Sequence, residues 1–190
     1  MSIITSLAQR RSYYHINKEL PVSEEAVITR IQELTALVPD AFNMKSARVV
    51  VALGEKQETL WNTVYECFEG KVPREKIDSF KAGAGTVLYY YDRAVVENLQ
   101  MQFPRYAENF PGWALQANGM LQLSIWSGLR ELNIGASLQH YNPVIDEKMR
   151  ALFDLPQSYI LVAQMPFGGI AAEAEHKQKE DDGKRVSIFR

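Results

Sequence analysis

The sequence predicts an α+β fold, a sandwich with helices on both faces of a small mixed sheet. Three apolar segments, residues 48–53, 86–91 and 159–165, are dense in β-branched and aromatic side chains and read as strands. Runs with apolar residues at helical spacing alternate with them. Short connections and few strands argue against a doubly wound sheet. The 190 residues are expected to form one domain, which buries roughly 70% of its unfolded surface at this size.

Taken in order, Ile3 to Gln9 is a short amphipathic segment running into Arg10-Arg11-Ser12-Tyr13-Tyr14, where a helix should end. Ser23 can cap a helix whose first turn holds Glu24 and Glu25. Val27, Ile31, Leu34 and Val38 then recur at helical spacing until Pro39-Asp40 stops the run. Strand 48–53 closes at Gly54, and Leu60, Trp61, Val64, Tyr65 and Phe68 mark one side of the next helix. Pro73 suits the first turn of a short helix over 74–82. After strand 86–91, Asp92 can cap the following helix. A loop around Phe103-Pro104 and Pro111-Gly112 leads into a long helix over 113–133. Residues 135–138 turn back as a short extended segment, and 146–153 are helical. Strand 159–165 is expected to end at Pro166-Phe167-Gly168-Gly169. A polar tail follows, and Val186-Ser187-Ile188-Phe189 reads as a last short strand with no local partner.

A net charge of −2 leaves no broad basic field, so no nucleic-acid partner is expected. Cys67 alone excludes an intramolecular disulfide and fits a reducing, cytoplasmic setting. Arg10-Arg11 is followed by polar residues, not by the apolar run of an export signal. Residues 109–129 carry no formal charge, yet Gln116, Asn118, Gln122 and Ser124 interrupt them, which predicts a buried helix and no membrane span.

Gly83-Ala84-Gly85 precedes a strand and lacks both the dinucleotide and the P-loop pattern, so it reads as a turn. His15, His140 and His176 lack metal-ligand spacing, and no nucleophile elbow occurs. Three segments remain. Arg10-Arg11-Ser12 offers two planar guanidiniums and a hydroxyl, a set suited to a phosphate, although basic residues also favour a helix C-terminus without any ligand. In the loop Ala41-Phe42-Asn43-Met44-Lys45-Ser46, an amide and an ammonium suit the acceptors of a heteroaromatic ring. A turn with a solvated lysine would look the same. In Gly135-Ala136-Ser137-Leu138-Gln139-His140-Tyr141, small residues allow close approach of a flat ligand, or simply form a helix C-cap and loop.

Together, in this order, these segments resemble the FMN-dependent nitroreductase family, in its short fatty-acid-repression-mutant-like subfamily. Gln102-Phe103-Pro104-x-Tyr106, Asn109-Phe110-Pro111-x-Trp113, the run from Gly135 through Asn142-Pro143, and Gln164-Met165-Pro166-Phe167-Gly168 extend the likeness over nearly the whole chain. The resemblance implies a three-layer α/β/α sandwich and a homodimer with two FMN sites at its interface. It carries Arg10 and Ser12, with Arg11 beside them, onto the phosphate and ribityl side. Asn43, Lys45 and Ser46 would approach the FMN of the partner. The backbone of Leu138, Gln139 and His140 would face the flavin with an amide near N5. Lys184 and Arg185 would add phosphate contacts, and residues 186–189 would extend onto the other protomer's sheet. The implied activity is ping-pong hydride transfer from NADH or NADPH to flat, electron-poor acceptors such as nitroaromatics or quinones. A flavin-binding regulatory or stress-response module with weak turnover is the alternative. Two positions depart from many relatives: Tyr14 stands where a cation is common, and Lys45 where Gln is common.

Overall fold

The middle strand of the sheet sorts the molecule into layers. The structure, a computed structural model, describes residues 2–174 and 185–190. In β3 (Gly85–Asp92), alternate side chains point to opposite faces, as the pleat requires. Val87 and Tyr89 enter one core with Ala163, Met165 and Phe167, beneath α2 (Glu24–Leu37) and α6 (Phe110–Glu131). Leu88 and Tyr90 enter the other, beneath α3 (Gly54–Cys67), α4 (Arg74–Lys81) and α7 (Asp146–Leu152). The expected three layers are therefore present.

β3 pairs antiparallel with β2 (Ala47–Leu53) on one side and β5 (Tyr159–Ile170) on the other. The order is β1-β5-β3-β2, with β4 (Ile134–Ala136) also laid against β5. Every ladder is antiparallel, and among the described residues the parallel component of the sheet is one bridge, Ser12 to Ala136.

Local signals behave as the sequence suggests. Ser23 Oγ accepts from Ala26 N at 3.2 Å, and Asp92 Oδ1 accepts from Ala94 N at 3.1 Å to open α5 (Arg93–Gln102). Several elements differ. Helix α6 begins at Phe110 rather than at 113, because Pro111 in a first turn forfeits no intrahelical bond. Strand β5 does not end at Pro166 but runs on to Ile170. Gly168 and Gly169 serve a chain crossing there: a Cβ on either would strike the carbonyl of Asn17 or Glu19. The crossing chain is β1 (Ile16–Asn17), a two-residue strand that no local pattern announces. Residues 186–189 form no strand within this chain, and Val186, Ile188 and Phe189 are all exposed.

β2 is an edge strand. Its residues Val49 and Val51 line an open cavity of about 840 Å³ between α2 and α6. Among the described residues, no helix is long and apolar enough to cross a membrane.

Candidate functional site

Helix α1 (Ile3–Gln9) ends at Arg10, whose amide donates to the Ser6 carbonyl. The chain then straightens and is clamped to β4 (Ile134–Ala136) and the last turns of α6. Ser12 bridges Ala136, and Tyr13 N donates to Ala136 O at 3.0 Å. The same carbonyl accepts the indole N–H of Trp126 at 3.1 Å. The face of that indole carries the Arg10 guanidinium, 4.2 Å from its ring centroid. Arg130 donates to the Gln9 carbonyl at 3.3 Å, and Glu131 accepts from the Ser6 hydroxyl. The last turns of α6 thus fix the turn carrying Arg10, Arg11 and Ser12.

This turn is electrostatically poised. Burial, and then the neighbouring Arg11, hold the Arg10 pKa below its ordinary value. Arg10 Nε is buried without a hydrogen-bond partner, an unmet donor of the kind an anionic ligand satisfies. The residues fit a phosphate.

Beside it runs the segment from Gly135 to His140. Gln139 N donates to Gln164 O at 2.7 Å, and Gln164 N returns a bond to Gln139 O at 2.9 Å. Ser137 N donates to Pro166 O and Tyr141 N to Gln164 Oε1. Within this expected flavin-facing segment, the Gln139 amide itself is already engaged by β5. Alternation turns the amides of Leu138 and His140 the other way, and these are the donors the segment presents. Gly135 is not a ligand cradle either: a Cβ there would meet Ile170 at 2.9 Å and Tyr13 at 3.0 Å, so it serves packing. Tyr14, half exposed, stands with its ring 6.5 Å from Phe80.

Asn43 and Lys45 lie elsewhere. Their loop follows a 3-10 turn (Ala41–Asn43), with Phe42, Asn43 and Lys45 all at positive φ, and both residues line the 840 Å³ cavity. Phe42 stacks on Trp113 at 5.7 Å, which fixes the loop against the first turns of α6. Ser46 does not join them. It is fully buried, and its hydroxyl has no hydrogen-bond partner. Trp113 and Trp126 stand 13 positions apart on α6, about 20 Å at 1.5 Å per residue. The two groups of candidate residues therefore lie near opposite ends of one helix. Arg185 is exposed near the C-terminus, and Lys184 lies outside the described residues. Trp126, the platform beneath Arg10, gave no signal in the sequence beyond being apolar in a helix.

A three-layer antiparallel sandwich with a cationic turn bridged to its short inner strand is the architecture of a class of oxidoreductases. Residues 7–169 match the model of the nitroreductase family, and the chain belongs to that family. It is 29% identical to nitroreductase FRM2 of Saccharomyces cerevisiae over 177 residues, 92% of this chain and 91% of that one. Nitroreductase CinD of Lactococcus lactis, solved in complex with chloramphenicol, superimposes with a TM-score of 0.94 at 40% identity, covering 100% of both chains. A protein of Exiguobacterium sibiricum solved in complex with FMN shares the fold at a TM-score of 0.76 and 12% identity, over 100% of this chain and 98% of that one.

Proposed function

We propose that this protein is an FMN-dependent NAD(P)H oxidoreductase that acts as a homodimer and reduces small, flat, electron-poor acceptors such as nitroaromatics or quinones. The observation that carries the reading is the Ser12–Ala136 bridge, which joins Arg10-Arg11-Ser12 to the Gly135–His140 segment across 124 positions of sequence. Phosphate cations and flavin-facing amides become neighbours there. Relatives solved with FMN and with a nitro compound support the cofactor and the acceptor class.

When bound, the flavin supplies two-electron transfer between nicotinamide nucleotide and acceptor. The chain's own residues bind and orient. Arg10, Arg11 and Ser12 hold the phosphate end, with Lys184 and Arg185 as further cations. The amides of Leu138 and His140 would donate toward the ring edge, and Tyr14 stands where many relatives carry a cation. Asn43 and Lys45 reach the site of the second protomer.

The two half-sites give the dimer its logic. Leu115, Gly119, Met120 and Leu123 form an outward, uncharged stripe on α6, and a Cβ on Gly119 would meet nothing within 4 Å. Leu121, Ile125 and Leu129 are buried in the chain's own core, and Gly128 makes room for Leu34 of α2, so these do not contribute to that stripe. Gly119 lies midway between Trp113 and Trp126. An antiparallel pairing of two α6 helices about Gly119 would carry each Asn43–Lys45 loop to the other chain's Arg10 end. The segment 186–189 would then add to the partner's exposed β2 edge.

Two measurements test the reading. Purified protein should be yellow and release FMN on denaturation. It should also oxidise NADH or NADPH when a nitroarene is supplied. Colourless protein that cannot be reconstituted with FMN would refute the cofactor. A yellow protein without acceptor-dependent turnover would favour the regulatory alternative.

A further inference from the structure

We propose that Trp126 is a positioning residue that fixes the Arg10 guanidinium for the phosphate of the flavin nucleotide; this rests on the reading of Arg10 as a phosphate ligand. Arginine has a long, flexible stem, and a phosphate site needs its fork held in one plane. Two contacts supply that plane. The indole N–H is tied to the Ala136 carbonyl at 3.1 Å, so the ring cannot turn without leaving a buried acceptor weaker. The guanidinium lies 4.2 Å above the pinned ring. A stacked guanidinium keeps its in-plane N–H groups at the edges, and Nε is such a group, buried and without a partner among the described residues. The Ala136 carbonyl also accepts from Tyr13 N, so the ring, the strand and the turn share one anchor.

The experiment measures binding of FMN and of riboflavin, which lacks the phosphate, to apo-protein. Arg10→Ala is the control for the underlying reading: it should weaken FMN ten- to hundredfold and leave riboflavin unchanged. Equal effects on both ligands would overturn the phosphate role of Arg10 itself. With that control met, Trp126→Leu should weaken FMN about tenfold, again without changing riboflavin. Trp126→Phe keeps a ring face and should stay within about threefold of the parent. In an Arg10→Ala background, Trp126→Leu should change FMN affinity no further. Parent-like FMN affinity in Trp126→Leu, or equal losses for FMN and riboflavin, would overturn the proposal. Should Trp126→Leu not fold, Arg10→Lys decides: it keeps the charge without a plane to stack, so parent-like FMN affinity would overturn it equally.

Discussion

Phe42 lies stacked on Trp113, 5.7 Å between centroids and 19° between ring planes, although Phe42 itself sits at a φ of 58°. A bulky residue in the left-handed region is uncommon and needs support from its surroundings. Phe103, Tyr106 and Phe110 crowd the same ring from other sides. Removing the stacked face by Trp113→Ala should loosen the loop that holds Asn43 and Lys45. Amide exchange over residues 41–46 should quicken at least about tenfold, a local opening easier by about 1.4 kcal/mol, while β3 stays protected. Unchanged exchange would show that the other three rings suffice.

With Arg10 on the phosphate as proposed, Arg10→Ala removes a charge-assisted contact worth about 1.5–3 kcal/mol. FMN affinity of the apo-protein should fall roughly ten- to hundredfold, as read by fluorescence titration. Parent-like affinity would move the phosphate to other cations.

Lys45→Gln tests the proposed approach of Lys45 to the partner's flavin. Lys45 is exposed, so solvent screening leaves about 1 kcal/mol of its attraction for a reduced anion. That corresponds to a midpoint potential lower by about 20 mV for a two-electron couple, with FMN still bound. Spectroelectrochemical titration reads it directly. A potential equal to the parent's would show that the ammonium points to solvent.

Leu123→Glu puts a carboxylate on the outward stripe of α6. The parent should scatter light as about 43 kDa, twice the 21.6 kDa chain. An unpaired buried carboxylate weakens the pairing by about 100-fold or more, so the variant should run as a monomer at micromolar concentration. Its FMN should be held less firmly as well, because the second half-site is gone. A dimeric variant would place the interface elsewhere.

Gly168→Ala probes the crossing of β1 over β5. The new methyl meets backbone, the Asn17 carbonyl, which cannot swing aside as a side-chain tip can. A cost of about 1–3 kcal/mol is expected, lowering Tm by about 2–12 °C in a chain of this size. Gly112→Ala, where a new methyl meets nothing within 4 Å, is the matched control. Equal melting of the two would contradict the crowding.

What the sequence revealed was whatever acts over a few residues. Ser23 and Asp92 cap helices because their hydroxyl and carboxylate reach amides two or three positions away. The alternation in 86–91 sends Val87 and Leu88 to different layers for the same local reason. Long-range partners were not visible. Nothing near Ile16 announces Ile170, and Gly168-Gly169 reads as a strand end until β1 is seen crossing there. The candidate site divides likewise. Its residue types were readable, but Gln139 could not be known to spend its amide on Gln164, nor Ser46 to be sealed inside. Arg10 and Trp126 meet across 116 positions.

Helix α6 has 22 residues, with one aromatic anchor near each end and a bare glycine at its centre. In the proposed pairing that makes its length a ruler shared by two chains. One turn inserted between Gly119 and either anchor would slide that anchor about 5.4 Å along the axis in both protomers at once. Each active centre would then be out of register with the half supplied from across the twofold, although every chain could still fold. On that pairing, the stretch from Trp113 to Trp126 could exchange residues but not gain or lose them without separating the two halves of each site.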